Sequence, residues 1–324
     1  MPFCASAGME IFSIILIVVG LCLFEAVNSI DNAVINAEVL STMRQKGRRW
    51  FLSWGFVIAV IVPRGLLPWF IVWAVLPGLS AWEAFTATFS DAPQIISAID
   101  LAAPFLLIGA GTFLVFLFFH WLFIEPKNYG LYGESFIHRQ GIWFFAVISV
   151  LLAFIVWNAI KIHPFLGFAA VVGSTVFFIT HGFKQYAEEG EKELMKSSMS
   201  DISKILYLEV IDASFSIDGV LGAFAFTLSI PLIIAGNGLG AFVVRYFTVK
   251  NINTIKKYRY LKNGAMYSIF VLGCIMLADA FGAHIPEWLS PIVTILIIGY
   301  FFWKSRAHIK RMMKDVQKLV QEET

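Results

Sequence analysis

The stretch Glu25-Ala26-Val27-Asn28-Ser29-Ile30-Asp31-Asn32 decides the fold of this chain, because it places two carboxylates and two carboxamides within an otherwise apolar run. A second stretch nearly repeats it: Asp212-Ala213-Ser214-Phe215-Ser216-Ile217-Asp218-Gly219. In both stretches the acidic residues are six positions apart, and both contain Ser-Ile-Asp. Charged groups within a membrane are costly to place and usually functional. The pattern therefore predicts a duplicated unit that carries an acidic site inside a membrane.

The composition is that of a membrane protein. Hydrophobic residues make up 59% of the chain and charged residues 14%, with a mean hydropathy of +0.78. Soluble domains contain roughly 25% charged residues. The expected surroundings are therefore a lipid bilayer, and neither a nucleic-acid partner nor a tightly bound cofactor is expected.

Nine apolar runs approach the ~20 residues that cross a bilayer as a helix. These spans, numbered one to nine, are 10–37, 50–76, 101–124, 141–160, 164–182, 204–229, 231–249, 263–283 and 287–303. The chain is therefore predicted to be all-α, a polytopic bundle of about nine transmembrane helices.

The positions of the basic residues predict how the bundle is oriented. Lys and Arg concentrate in short cytoplasmic loops, and 21 of the 24 in this chain follow odd-numbered spans. The remaining three are Lys161, Arg64 and Arg245. With nine spans, this distribution places the N-terminus outside and the C-terminus in the cytoplasm. We expect a multi-pass protein of the bacterial inner (plasma) membrane.

The two acidic motifs fall on spans one and six, which cross the membrane in opposite senses and so predict an inverted-topology repeat. In transporters of this plan the substrate site lies near the midplane, often beside interrupted helices. Gly219, Gly222 and Pro231 are candidate interruptions.

The repeat predicts four units along the chain. They are 1–124 as the first repeat with spans one to three, 125–203 as connecting spans four and five with a cytoplasmic linker, 204–303 as the second repeat with spans six to nine, and 304–324 as a basic amphipathic cytoplasmic tail. The charged run 188–204 is expected to be the solvated linker.

One arginine lies inside the span that follows each acidic motif: Arg64 follows the first motif and Arg245 follows the second. Intramembrane charges usually pair, so Arg64 and Arg245 are candidate counter-ions to the carboxylates. A membrane Arg can instead extend its side chain to the headgroups. That alternative suits Arg245, near a cytoplasmic end, better than Arg64, near the middle of its span.

Spacing constrains the site. Residues six apart on a regular helix differ by about 120°, so either the helix unwinds between Glu25 and Asp31 or the two carboxylates flank a wide polar stripe. Oxygen ligands of this kind favour Mg²⁺, Ca²⁺ or Mn²⁺ over Zn²⁺ or Cu⁺. The polar residues that form such an arc are, on span one, Glu25, Asn28, Asp31 and Asn32, and on span six, Glu209, Asp212 and Ser216.

These motifs, the Arg in each succeeding span and His284-Ile285-Pro286-Glu287-Trp288-Leu289-Ser290 before the last span resemble the TerC family of integral membrane proteins. That family is named for tellurite resistance and shares a superfamily with LysE-type exporters. Its members are implicated in manganese export and in metal supply to exported enzymes. The resemblance implies an ion site formed by Glu25, Asp31, Asn32, Asp212 and Asp218. Gly219 stands where the first copy has Asn32, so the two halves are expected to coordinate unequally.

The expected function is export of a divalent metal cation, with Mn²⁺ as the first choice, by alternating access of the two halves and with protons on the return step. An enzyme is not expected. One alternative is a membrane scaffold that assists metal loading of exported proteins, with a homo-oligomer or the translocation machinery as partner. The other is an intramembrane aspartyl protease, but the companion sequences Tyr-Asp and Gly-x-Gly-Asp are missing.

A glycine-rich stretch, Gly236-Asn237-Gly238-Leu239-Gly240, superficially resembles a nucleotide-binding loop. Such loops follow a strand, and none is predicted here. The stretch is therefore interpreted as a flexible helix start.

Overall fold

The computed structural model describes residues 3–29, 39–40, 43–55, 58, 66, 69–70, 73, 80–83, 93–196 and 200–322, and within these residues it contains helices and no strand. The α-helices are α1 (Phe3–Asn28), α2 (Gln45–Trp50), α3 (Pro93–Phe123), α4 (Glu134–Arg139), α5 (Phe144–Ile162), α6 (Pro164–Lys196), α7 (Asp201–Ala223), α8 (Ile230–Lys256), α9 (Leu261–Ala280) and α10 (Leu289–Glu322). A π-helical turn, Phe51–Gly55, extends α2. This architecture confirms the predicted all-α bundle.

The protein is a multi-pass membrane protein. In the described part of the chain, six helices contain segments that are long and apolar enough to cross a bilayer: Ile11–Asn28, Leu101–Phe123, Gly141–Ile162, Pro164–Phe183, Leu261–Ala280 and Leu289–Asp315. Ile230–Val244 in α8 is a shorter apolar helix. Large apolar side chains such as Phe154, Trp157 and Ile179 are about two-thirds exposed. They therefore face the acyl chains, as expected where lipid replaces water.

Contacts at glycine residues give the relative direction of α1 and α8. A Cβ atom on Gly236 would contact Leu21 at 2.5 Å. One on Gly240, about a turn later, would contact Glu25 at 2.7 Å. Both contacts advance in the same direction along the chain, so α1 and α8 are parallel.

Helix α7 runs the other way. Gly219 lies against Glu25, whereas Phe226, just beyond the end of α7, lies against Gly20. Contacts that advance along α7 therefore move back along α1, and these two helices are antiparallel. Glu25 of the first motif and the backbone of the second motif thus lie on oppositely directed helices, as the repeat predicts.

Small residues allow the central helices to approach closely, which is how helices associate where lipid removes the hydrophobic drive. A Cβ atom on Gly173 of α6 would overlap the carbonyl oxygen of Gly109 in α3. One on Gly111 would lie 3.0 Å from the carbonyl oxygen of Gly273 in α9. Helix α3 is therefore clamped between α6 and α9 at the centre of the bundle, and an alanine at Gly173 would force α3 and α6 apart.

Two sequence interpretations are corrected by the helix bounds. Helix α7 is continuous from Asp201 to Ala223, so neither Gly219 nor Gly222 interrupts it. Pro231 lies in the first turn of α8, where its missing N–H has no intrahelical partner to lose. Helix α7 ends one residue past Gly222, and a short turn leads into α8.

The expected linker 188–204 is mostly helical. Helix α6 continues to Lys196, and Ser200 caps α7 by accepting a hydrogen bond from the Ser203 N–H. Glu and Lys are strong helix formers, so the charged run extends α6. Lys204, expected in a loop, is a buried residue of α7.

The end of the bundle that carries the basic loops is organised by Glu134, which is 1% exposed. Its carboxylate accepts hydrogen bonds from the N–H groups of Gly130 and Leu131 and from the side chains of Asn263 and Tyr267, at 2.7–3.1 Å. Charge-assisted hydrogen bonds of this kind are strong, so Glu134 fixes the loop before α4 against α9.

The tail 304–324 continues α10 without a break to Glu322. Its first residues pack against the bundle. Ser305 is 0% exposed and accepts a hydrogen bond from the Tyr260 N–H at 3.1 Å, and Lys304 donates to the Gly130 carbonyl. The beginning of the predicted tail is therefore part of the folded body.

Candidate functional site

Glu25 lies near the end of α1 and is 1% exposed. The Ser29 hydroxyl donates a hydrogen bond to Glu25 Oε1 at 2.5 Å. Regular helix ends at Asn28, three residues after Glu25, and Asp31 lies outside the described residues. In the second copy α7 passes through Asp212 and Asp218 without a break. The second acidic pair therefore lies on one unbroken helix.

Two glycines form the slot that holds Glu25. A Cβ atom on Gly219 of α7 would lie 2.6 Å from Glu25 Oε2. One on Gly240 of α8 would lie 2.7 Å from Glu25 Cβ and 2.5 Å from the Cys22 carbonyl oxygen. Any larger residue at Gly219 or Gly240 would occupy space that Glu25 or its helix now fills. The carboxylate thus lies where α1, α7 and α8 meet.

Asn237 is a further polar group at this junction, and it is 0% exposed. Its Nδ2 donates to the Gly219 carbonyl at 3.4 Å, a long hydrogen bond, and among the described residues its Oδ1 has no hydrogen-bond partner. Asn237 was missed because its glycine-rich stretch was interpreted as a flexible helix start. That interpretation is wrong: the stretch lies within α8, and its glycines pack against α1.

Asp218 provides a second buried carboxylate. It is 6% exposed and directly precedes Gly219 on α7. Two acidic side chains from oppositely directed helices are therefore buried in the same region of the bundle. Burying ionised carboxylates costs several kcal/mol each unless a positive partner compensates.

Glu209 is the third buried carboxylate, 8% exposed, one turn before Asp212 on α7. A Cβ atom on Gly55 would overlap Glu209 Oε1. Gly55 belongs to the predicted second span, and Gly240 to the seventh. Each half thus packs a glycine of one span against an acidic helix of the other half, although Glu209 was not counted among the metal ligands from the sequence.

The structure describes only part of the predicted ligand set. Glu25, Asp218 and Asn28 are described with their side chains, and Asn28 Nδ2 lies 3.8 Å from the Cβ position of Gly219. Asp31, Asn32 and Arg64 lie outside the described residues. The backbones of Asp212, Ser216 and Arg245 lie in α7 and α8, and their side chains lie outside the described part.

Acidic and amide oxygens dominate the described site. Where side chains are described, no three His, Cys, Asp or Glu residues converge as a metal-binding group. Glu25, Asp218 and the Asn237 oxygen are the polar groups that the helices bring to the junction of α1, α7 and α8. All are hard oxygen donors.

An aromatic layer closes one side of this junction. Phe24 precedes Glu25, is 0% exposed and packs against Gly222. Its ring centroid is 5.7 Å from that of Phe226, which is 1% exposed. The two rings therefore separate Glu25 from the end of the bundle where α7 ends and α8 begins.

Comparison with known proteins gives one match. The family model described as "Protein of unknown function (DUF475)" matches residues 30–312. No curated protein and no solved structure matches the chain.

Proposed function

We propose that this chain, which belongs to the DUF475 family, is an integral membrane transporter that exports a divalent metal cation, Mn²⁺ foremost. The observation that carries the proposal is the burial of Glu25 and Asp218, 1% and 6% exposed, on two oppositely directed helices that meet at Gly219. Carboxylates in this setting are functional far more often than they are structural.

The chemistry of the ligand atoms limits which ions the protein would transport. The junction offers carboxylate and carboxamide oxygens, which suit Mg²⁺, Ca²⁺ and Mn²⁺. Among these ions, the likeness of the paired acidic motifs to the TerC family favours Mn²⁺. A dication would offset the two negative charges of Glu25 and Asp218, and protons would offset them on the return step.

The packing supports alternating access. Helix α1 of the first half lies against α7 and α8 of the second half, and the site is at their junction. A tilt of one half against the other would open the junction to one side of the membrane at a time, as in inverted-repeat transporters. The distribution of Lys and Arg supports a bacterial inner-membrane protein with an outside N-terminus and a cytoplasmic C-terminus.

The test is Mn²⁺ flux into vesicles that contain the purified protein. We expect flux for the wild type and a loss of at least tenfold in Glu25→Gln and in Asp218→Asn, because each removes one negative charge with little change in shape. Asp315→Asn removes an exposed carboxylate of α10 and is the matched control. Wild-type flux in both site variants would disprove the assignment of the site.

A further inference from the structure

A separate cavity of about 210 Å³ lies at the end of the bundle opposite to the basic loops. Its walls come from the first part of α3, the turn between α7 and α8, the end of α9 and the start of α10. Water occupies about 30 Å³ per molecule in the liquid. The cavity therefore has room for an ion with several water molecules.

Two carboxylates border this cavity. Asp279, in the last turn of α9, accepts a hydrogen bond from the Ile285 N–H at 3.1 Å through Oδ1. This bond fixes the carboxylate and leaves Oδ2 for another partner. Glu287, just before α10, is exposed at the rim.

Buried hydroxyl groups complete the lining. Ser290 is 1% exposed and lines the cavity, and within the described part of the chain its hydroxyl forms no hydrogen bond. Thr227 is 6% exposed, and its Oγ1 accepts a hydrogen bond from the Ser229 N–H at 3.1 Å. The Ser290 hydroxyl is therefore available as an oxygen donor, and an ion or its water shell in the cavity would be a partner for it.

The charged residues described in the cavity wall are all acidic. Its described lining residues include Asp279 and Glu287 and neither Lys nor Arg. The oxygen donors are again of the hard type that divalent cations prefer.

The cavity and the Glu25 site share a wall. Phe226 lines the cavity, and its ring packs against Phe24, the residue before Glu25. The cavity is therefore separated from the junction of α1, α7 and α8 by one layer of aromatic side chains.

We propose that this cavity is a second divalent-cation site, in which Asp279, Glu287 and Ser290 hold a partly hydrated ion on the outer side of the Phe24–Phe226 layer. The inference rests on the proposed transport function for its role, since the ion would bind here after leaving Glu25. Binding itself can be measured without transport.

The experiment counts Mn²⁺ bound to the purified full chain by the loss of the free-ion electron paramagnetic resonance signal. We expect the Asp279→Asn/Glu287→Gln double variant to bind one Mn²⁺ fewer per chain than the wild type. Glu25→Gln should also lose one, and the triple variant two. Asp315→Asn, which removes an exposed carboxylate elsewhere, should bind as many as the wild type.

Glu287→Gln alone provides a second variant, because Glu287 is exposed and its replacement leaves the Asp279 hydrogen bond in place. It should weaken the second binding event at least fivefold. Equal Mn²⁺ binding by the double variant and the wild type overturns the cavity site, even where vesicle flux is normal. A different outcome would separate the two proposals. If the wild type shows no Mn²⁺ flux but binds a Mn²⁺ ion that is lost in the Asp279→Asn/Glu287→Gln variant and kept in Glu25→Gln, the transport function is rejected and the cavity site is retained.

Discussion

The carboxylate of Glu25 occupies the space that a side chain at Gly219 would need: a Cβ atom there would lie 2.6 Å from Glu25 Oε2. The acidic group of one half of the chain is thus seated on the backbone of the other half. Gly219 stands at the position that Asn32 has in the first motif. A side chain at Gly219 would collide with the Glu25 carboxylate, so the second motif lacks a side chain where the first motif needs space.

Gly219→Ala is expected to reduce Mn²⁺ transport while leaving the protein folded. The methyl group meets the end of a flexible side chain, so Glu25 can move aside, and alanine itself favours helix by up to about 1 kcal/mol. Displacing the carboxylate should weaken Mn²⁺ binding at least tenfold, or about 1.4 kcal/mol. Binding and thermal unfolding in detergent are measured together. Gly238→Ala is the control, since a Cβ atom there meets nothing within 4 Å; equal binding by both variants would contradict the role of Gly219.

Gly240→Ala should act in the opposite way, by destabilising the fold. Its Cβ atom would lie 2.5 Å from the Cys22 carbonyl oxygen, which belongs to the backbone of α1 and cannot rotate away. Overpacking of this kind costs about 1–3 kcal/mol. We expect a lower unfolding temperature than for the wild type and for Gly238→Ala. An unchanged unfolding temperature would show that α1 and α8 are less tightly packed than the structure indicates.

Asn237→Leu is expected to impair transport with little loss of stability. The hydrogen bond from Asn237 Nδ2 to the Gly219 carbonyl is long at 3.4 Å, and a leucine of similar volume removes a buried polar group along with it. The substitution also removes Asn237 Oδ1, which is buried with no partner among the described residues, and an unsatisfied buried group of this kind is itself destabilising. Mn²⁺ flux and unfolding temperature, measured on the same preparation, separate the two effects. A variant that unfolds earlier but transports normally would show that Asn237 only holds the helices together.

The sequence was sufficient to predict the six apolar spans found in the described residues and the opposite directions of α1 and α7. Apolar runs indicate where a membrane helix lies, and Pro231 does lie at the start of a helix, whereas Gly219 and Gly222 wrongly suggested that α7 is interrupted. The slot around Glu25 could not be predicted, because a glycine that contacts a distant helix looks the same in sequence as one that bends its own. Likewise, the sequence at the charged end of α6 is compatible with either a helix or a solvated linker. Which of the two forms depends on the surrounding structure, which the sequence does not show.

Acidification should destabilise the basic end of the bundle through Glu125, in the loop after α3. Burial alone would raise the pKa of its carboxyl, but His120 Nδ1 at 3.5 Å and Lys262 Nζ at 2.9 Å hold that pKa well below its usual range. A lowered folded-state pKa gives stability that is present above the unfolded pKa of about 4.3 and is lost as pH falls toward the folded pKa. Unfolding temperatures between pH 7 and pH 3 should fall less steeply for Glu125→Gln than for the wild type. Parallel curves of unfolding temperature against pH for the two proteins would show that Glu125 does not contribute to the loss of stability at low pH.

Phe226→Leu should make the transporter leaky, because Phe226 separates the cavity at Asp279 from Glu25. The residue is 1% exposed and its ring centroid lies 5.7 Å from that of Phe24, so a smaller side chain opens a gap in the layer. Vesicles with the variant should lose a preset Mn²⁺ gradient several times faster than wild-type vesicles, because ions pass the layer without a change of state. Phe154→Leu makes the same substitution at an exposed position of α5 and should leave the rate unchanged. Gradient loss at the wild-type rate in Phe226→Leu would place the barrier elsewhere in the bundle, and the cavity would then not be continuous with the path from Glu25.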